Sequence, residues 1–453
     1  MRKLRITPYI IILNNKQKIV MEADMDSKIY SKYLDALKGE LVLALGCTEP
    51  IAVAYAAAKA REVLGSMPKE LVVKCSGNII KNVKSVIVPT TGDMRGIDTS
   101  AVLGALAGNA EYGLEVLKNV KKEDVEETKR LLDEGICKVE IINGISKLHI
   151  IVEATDYDTT VTVEISECHT NIVSITKNGE VLFSRQENAP TVGADEVHVN
   201  AKDEDTMSLE EIYRFANEVD IADVKEILDR QISCNLAIAK EGLRGDYGAN
   251  VGKTIIKNYG EDVKFVARAY PAAGSDARMS GCTMPVVINS GSGNQGMTVS
   301  LPVIVYARHL NVSDEKLYRA LVLSNLLAIH LKFGIGKLSA YCGVVSAACG
   351  SGAAISYLHD APLSVIEKTI TNTLGNVSGI VCDGAKSSCA AKIASSVDAA
   401  IMGHCMAMDN YSFGAGEGLV KDNIEKTIDT ISTMGREGMK QTDEEILSLM
   451  LKD

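Results

Sequence analysis

The stretch GIVCDGAKSSCAAK, residues 379 to 392, places Cys382 and Cys389 on either side of an Asp-Gly turn. Upstream, Cys342 stands in AYCGVVSAACG, an uncharged segment of small residues. Three thiols from two elements suffice for one metal centre, and soft thiolates select zinc or an iron–sulfur cluster. A structural zinc site takes four ligands, usually as two short C-x₂₋₄-C pairs, and the chain contains no such pair. Three cysteines on a [4Fe-4S] cube would instead leave one iron without a protein ligand, a Lewis acid with an open position. Cys349, one heptad after Cys342 on the predicted helix, is the rival ligand.

Two other motifs carry chemical potential. In GCTEP, residues 46 to 50, Thr48 is the predicted N-cap of a helix continuing through IAVAYAAAKAREVL. Cys47 would then sit at the positive end of the helix dipole, which lowers a thiol's pKa and favours thiolate. The alternative is a small buried residue ahead of a helix. In NSGSGNQG, Gly291, Gly293 and Gly296 satisfy G-x-G-x-x-G after the strand-like PVVIN. A dinucleotide fold needs a long helix next, whereas the sequel is MTVSLPV, interrupted by Pro302, with no βαβ texture. The loop is better read as a nest of backbone N–H groups and side-chain amides for a carboxylate.

Composition bounds the remaining choices. A chain of 453 residues accommodates two or three domains. With no Trp and 4% aromatics, its core must be built of small and aliphatic side chains. The net charge of -11 supplies no basic patch for a phosphate backbone, so nucleic acid is not an expected partner. Eleven cysteines without an export signal point to metal or thiol chemistry, not to a disulfide framework, and hence to the cytoplasm. SAYCGVVSAACGSGAAISYL, residues 339 to 358, is uncharged but rich in Ala, Gly, Ser and Cys; it predicts a buried helix, with no membrane span.

The elements that must position these groups fall into two parts. Helices are predicted over 26 to 45, from Glu49 to Leu64, over 98 to 118 and over 122 to 134, with strand-like LVVKCSG and VKSVIVP between. From Cys137 to Phe183, β-rich runs separated by Asn, Gly and Asp predict an antiparallel sheet. Residues 185 to 206 form a polar linker, after which the pattern is helical. Ser208–Glu211 and Thr442–Glu445 have capping-box spacing, and Ser313 precedes a long helix. The expectation is an α+β protein: residues 1–24 an extension, with Met21 and Met25 as alternative starts; 25–200 an α/β domain containing the GCTEP helix; 201–453 a mainly helical cluster-binding domain.

GCTEP, GSGNQG, AYCGVVSAACG and GIVCDGAKSSCAAK, in this order, resemble the L-cysteine desulfidase family, which is related to the iron–sulfur L-serine dehydratases. The resemblance runs from about residue 26 to the C-terminus. It implies an oxygen-sensitive [4Fe-4S] enzyme without pyridoxal phosphate, a carbon–sulfur lyase converting L-cysteine and water to hydrogen sulfide, ammonia and pyruvate. It implies Cys342, Cys382 and Cys389 as cluster ligands, with a tighter final loop than in the wider serine-dehydratase pattern, and Cys47 as catalytic base. Donors for the substrate would come from Ser76 and Asn78, from His169, Thr170 and Asn171, and from Ser290, Ser292, Asn294 and Gln295; each has turn formation as its alternative reading. A homodimer is the one assembly considered. The competing functions are an L-serine dehydratase using the same cluster and a non-catalytic thiol or metal-binding protein.

Overall fold

The computed structural model describes residues 25–142, 146–185, 207–336 and 338–452. The chain opens with α1 (Ser27–Glu40), capped by the Asp26 carboxylate, followed by β1 (Leu43–Leu45) and α2 (Thr48–Leu64). Next come β2 (Glu70–Ser76), α3 (Gly77–Val83), α4 (Ile97–Ala107), a 3₁₀ segment (Ala110–Glu115) and α5 (Lys122–Asp133). Five strands follow: β3 (Cys137–Ile142), β4 (His149–Asp156), β5 (Thr159–Ser166), β6 (Ile172–Lys177) and β7 (Glu180–Ser184). The C-terminal part comprises α6 (Leu209–Glu218), α7 (Ile221–Arg244), α8 (Val251–Tyr259), α9 (Val263–Met279), the strand β8 (Pro285–Val287) and α10 (Gly293–His309). It ends with α11 (Asp314–Ile335), α12 (Val344–Leu358), α13 (Leu363–Asn376), α14 (Cys389–Met408), α15 (Ile424–Thr433), a π turn (Met434–Gly438) and α16 (Lys440–Leu451). The protein is therefore α+β, with its sheet in the N-terminal region and a mostly helical remainder. No described helix is long and apolar enough to cross a membrane.

The six-stranded sheet has the order β3-β2-β4-β5-β6-β7. Alternation along its central strands puts Leu71, Val73, Cys75, Ile150, Val152, Val161, Val163 and Ile165 on one buried face. Helix α2 lies against that face through Ala52, Val53, Ala56 and Ala57, while Ile51, Ala54 and Ala58 belong to the helical core. A helix buried on both sides cannot be amphipathic, which accounts for its run of Ala. Small residues also allow close backbone approach: a Cβ on Gly104 of α4 would fall 2.3 Å from the Ala54 carbonyl oxygen.

The two parts are tied by β1, which pairs antiparallel with β8 from Leu43↔Val287 to Leu45↔Pro285. This ribbon anchors GCTEP, directly after β1, beside the segment leading to NSGSGNQG. Buried Asn235 of α7 locks the ribbon to α10: its Oδ1 accepts from Val287 N at 2.9 Å, and its Nδ2 lies 3.2 Å from Val287 O and 3.1 Å from Gly296 O.

The sequence expectations hold in outline and fail where long-range pairing intervenes. The first predicted helix stops at Glu40 because residues 43–45 are recruited as β1. VKSVIVP forms no strand; Val83 closes α3, and Ile87 makes only an isolated bridge to Arg95. The sheet over 137–183 is antiparallel except that β2 inserts between β3 and β4, so β3 pairs parallel to β2. Ser208 and Ser313 cap α6 and α11 as expected, but α16 starts at Lys440, leaving Thr442 inside the helix. Pro302 does not end the helix after GSGNQG, which continues to His309; the preceding β8 belongs to a two-stranded antiparallel ribbon, so no dinucleotide-binding unit exists here. Residues 1–24 and, beyond Arg185, the predicted linker lie outside the described residues.

Asn235→Ala would leave the Val287 N–H and C=O unpaired in the core. The expected loss is about 2–3 kcal/mol of stability, measured by anaerobic urea unfolding.

Candidate active site

A cavity of about 90 Å³ opens where the two parts meet, and Cys342, Cys382, Cys389 and Cys47 all line it. The starts of four helices reach it: Cys47 is the N-cap of α2, Ser292 of α10, Gly343 of α12, and Ser388 precedes Cys389 at the head of α14. None of these caps accepts a first-turn backbone N–H with its side chain. The first-turn N–H groups and the positive ends of four dipoles therefore bear on one small space, which favours anions.

The thiols are brought together by backbone pairing. Cys342 N donates to Ile380 O at 2.9 Å and Cys382 N to Ala340 O at 2.7 Å, around the Tyr341–Val381 bridge. The nearness of the Cys342 and Cys382 side chains pulls the Cys382 pKa down and pushes that of Cys342 up. Helix α12 starts at Val344, later than the sequence predicts, so Cys342 lies ahead of the helix and not on its face. Cys349 is a full helical residue, wholly buried, with its Sγ 4.0 Å from Ile370 O and away from the cavity. The heptad argument for it as a ligand fails for that reason. The Cys382–Cys389 loop is braced by Asp383, which pairs with both Lys386 and Lys392. It packs on α3, where a Cβ at Gly384 (φ 92°) would approach Lys81 O to 2.2 Å.

Cations surround these thiols. Lys81 is 2% exposed, pairs with Asp443 of α16 and has its Nζ 3.5 Å from Cys382 O. Lys332 is also buried; burial lowers its pKa to about 8, against the opposing pull of Cys382 and Cys342. Among the described residues, no group of three His, Cys, Asp or Glu side chains is drawn together tightly enough for a single metal ion. Three thiols lining one cavity beside buried Lys81 and Lys332 fit a larger anionic group such as a cluster held by three thiolates.

Beside Cys47 lies a buried carboxylate that sequence reasoning left in the first turn of a helix. Glu49 Oε2 accepts from Cys47 Sγ at 3.1 Å and lies 3.1 Å from Thr48 Oγ1, and Oε1 accepts from Asn82 Nδ2 at 3.0 Å. His169 Nε2 stands 4.0 Å from Oε1, an ion-pair separation longer than a hydrogen bond. Burial raises the Glu49 pKa, but His169 and the Cys47 thiol outweigh it and hold the group at about 2. Burial, then the Glu49 charge, pushes the Cys47 pKa well above the usual thiol value, only partly offset by Arg278. The expectation of a thiolate favoured by the helix terminus is therefore corrected: the resting group is a thiol. Its role as N-cap, assigned by sequence to Thr48, is a second correction, since Thr48 already begins the helix and donates to Gly291 O at 2.9 Å.

The predicted polar donors divide. Asn78, Ser292, Asn294 and Gln295 line the cavity. His169 approaches through Glu49. Ser76 donates to Lys147 O at 2.6 Å and faces a neighbouring cavity of about 540 Å³ that shares Asn78 and Lys81. Thr170 and Asn171 belong to the turn between β5 and β6, where Asn171 Nδ2 donates to Ser166 O at 2.9 Å and Oδ1 accepts from Arg185. Ser290 donates to Asn289 Oδ1 at 2.9 Å and does not reach the cavity. The sequence reading missed Arg278 of α9, which is 2% exposed and lines the cavity; its Nε donates to Gly46 O at 2.8 Å and Nη1 to Asn294 Oδ1 at 3.1 Å. The only sequence signal for it is that two charges, Asp276 and Arg278, interrupt the small-residue run AAGSDARMSG.

This architecture has recognisable kin. Residues 111–448 match the model of the serine dehydratase alpha chain family, and the chain belongs to that family. It is 55% identical over 423 residues to a UPF0597 protein of Lachnoclostridium phytofermentans, covering 93% of this chain and 100% of the relative. A UPF0597 protein of Desulfitobacterium hafniense is 50% identical over 431 residues, 95% of this chain and 99% of its own. One from Actinobacillus pleuropneumoniae is 38% identical over 435 residues, 94% of this chain and 98% of its own.

Glu49→Gln removes the negative charge that holds the Cys47 proton. The pH profile of Cys47 alkylation, followed on its own peptide by mass spectrometry, is expected to move to lower pH; an unmoved profile means that burial alone sets the thiol.

Proposed function

We propose that the protein is a serine dehydratase-like iron–sulfur lyase acting by α,β-elimination on a small L-α-amino acid, with L-cysteine as substrate. The observation that carries this reading is that Cys47, Cys342, Cys382 and Cys389, remote in sequence, line a single cavity. Cys342, Cys382 and Cys389 would hold a [4Fe-4S] cluster, which supplies an iron without a protein ligand as Lewis acid for the departing β-substituent.

The chain's own residues account for the proton. Elimination needs a base for the α-hydrogen, and Cys47 faces the cavity with its proton already directed at Glu49 Oε2. Glu49, its pKa held at about 2, is too weak a base to keep that proton; once it is lost to solvent, Cys47 is a thiolate that burial makes strongly basic. Asn82 and His169 hold the Glu49 carboxylate in place beside the Cys47 sulfur. The sulfur leaves from Cβ and the resulting aminoacrylate takes up water, so that cysteine and one water become hydrogen sulfide, ammonia and pyruvate. Buried Lys81 and Lys332 offset the negative charge gathered around the thiols. All eleven cysteines are free, which suits a reducing cytoplasm.

The second reading is an L-serine dehydratase with the same centre, favoured by the description of the matching family. A non-catalytic thiol protein is disfavoured by the Cys47–Glu49 pair, which a passive metal store has no use for.

Anaerobic preparations should be brown and release sulfide and pyruvate from L-cysteine faster than pyruvate from L-serine. The reverse preference selects the dehydratase reading, and a colourless zinc protein rejects both. Cys389→Ser should lose iron and turnover together, whereas Cys47→Ser keeps its iron and loses about 10²-fold or more of its turnover. Full turnover in Cys47→Ser would remove it as the base.

A further inference from the structure

We infer that Arg278 and the head of α10 form the seat for a substrate carboxylate, and that the side-chain oxygens of Gln295 and Asn78 receive its ammonium group. The inference rests on the lyase reading only for what is attached at Cβ; the seat itself is defined by unsatisfied groups.

A buried guanidinium is costly unless a charge partner satisfies it. Arg278 is 2% exposed, yet its two hydrogen bonds go to neutral oxygens, Gly46 O and Asn294 Oδ1. Among the described residues no carboxylate forms an ion pair with it, although a guanidinium carries five N–H donors. It lies against the start of α10, where a Cβ on Gly293 would fall 2.5 Å from Arg278 Nε, so only glycine admits it. That helix begins at Ser292 with no side-chain cap, which leaves first-turn N–H groups available beside the guanidinium. An anion on this spot meets both a fixed fork of donors and a helix terminus.

The opposite deficit lines the same cavity. Gln295 Oε1 and Asn78 Oδ1 are buried oxygens with no hydrogen-bond partner among the described residues, and both residues line the cavity. The Gln295 amide is oriented by its Nε2, which donates to Ser290 O at 3.3 Å, so the oxygen is the atom turned to the ligand. An ammonium group brings three donors and no acceptor. Cation donors lacking an anion and acceptors lacking a donor, around one small cavity, are together complementary to a zwitterion. A simple amine satisfies one half, a simple carboxylate the other. Because Arg278 bonds the carbonyl of Gly46, the carboxylate is held beside Cys47, the next residue.

L-Alanine tests this without turnover, since it has no leaving group at Cβ. Calorimetric titration of the anaerobically purified full chain should detect L-alanine binding, with L-alaninamide at least about tenfold weaker. Arg278→Gln should weaken L-alanine by about ten- to a hundredfold, Arg278→Lys by less, and Gln295→Met should weaken L-alanine while leaving propionate unchanged. If Arg278→Gln does not fold, the Arg278→Lys and alaninamide comparisons decide. Wild-type affinity for L-alanine in a folded Arg278→Gln, equal binding of L-alanine and its amide, or no L-alanine binding by the wild type overturns the seat. The two readings fail separately: Arg278-dependent alanine binding without elimination from any β-substituted amino acid sinks the lyase, whereas normal elimination with Arg278-independent binding sinks the seat.

Discussion

Four helices, α2, α10, α12 and α14, start at one cavity without side-chain caps. Helix starts carry unsatisfied N–H groups and partial positive charge, and to these the fold adds buried Arg278, Lys81 and Lys332. So much positive potential in a desolvated space is tolerable only if anions come to meet it. Within the chain these are Glu49 and Asp443; the remainder is left for a ligand. Much else in the architecture holds these termini together. The β1–β8 ribbon fixes the first two, and the Tyr341–Val381 bridge with the Asp383-braced loop fixes the others.

Cys47 shows which of two opposing effects prevails. A helix terminus is worth about 0.3–1 kcal/mol to a charge, up to about 2 in favourable geometry. Full burial shifts a titratable group by up to about 3–5 pKa units, at about 1.4 kcal/mol each. With Glu49 adding a negative charge at hydrogen-bond range, the thiol form wins. The consequence for the site is that the resting thiol is inert, while a thiolate formed there is a stronger base than an exposed one.

The sheet contributes indirectly. It buries one flank of α2, so the helix carrying Cys47 and Glu49 is clamped between sheet and helical core and cannot tilt freely. The turn after β5 delivers His169 to Glu49, and α3, directly after β2, delivers Asn78, Lys81 and Asn82. On the far side of α3, Asp443 of α16 neutralises Lys81, tying the C-terminal helix to the edge of the site.

Much of this was legible in the chain itself. Periodicity gave the sheet over 137–183 and most of the helices, because those signals are local; the spacing of Cys342, Cys382 and Cys389 and the GCTEP and GSGNQG motifs marked the segments that meet. What local sequence could not contain was the partner of each group. Lys81 and Asp443 are 362 residues apart, and Arg278 and Gly46 are 232 apart. Cys342 and Cys349 look equivalent on a predicted helix, and only the backbone bridge to Val381 delays the helix start and separates them. Residue type and spacing determined which side chains could do chemistry. Tertiary packing decided which of them are desolvated and what they face, and it is desolvation and neighbouring charge that set proton affinity and leave a binding group unsatisfied.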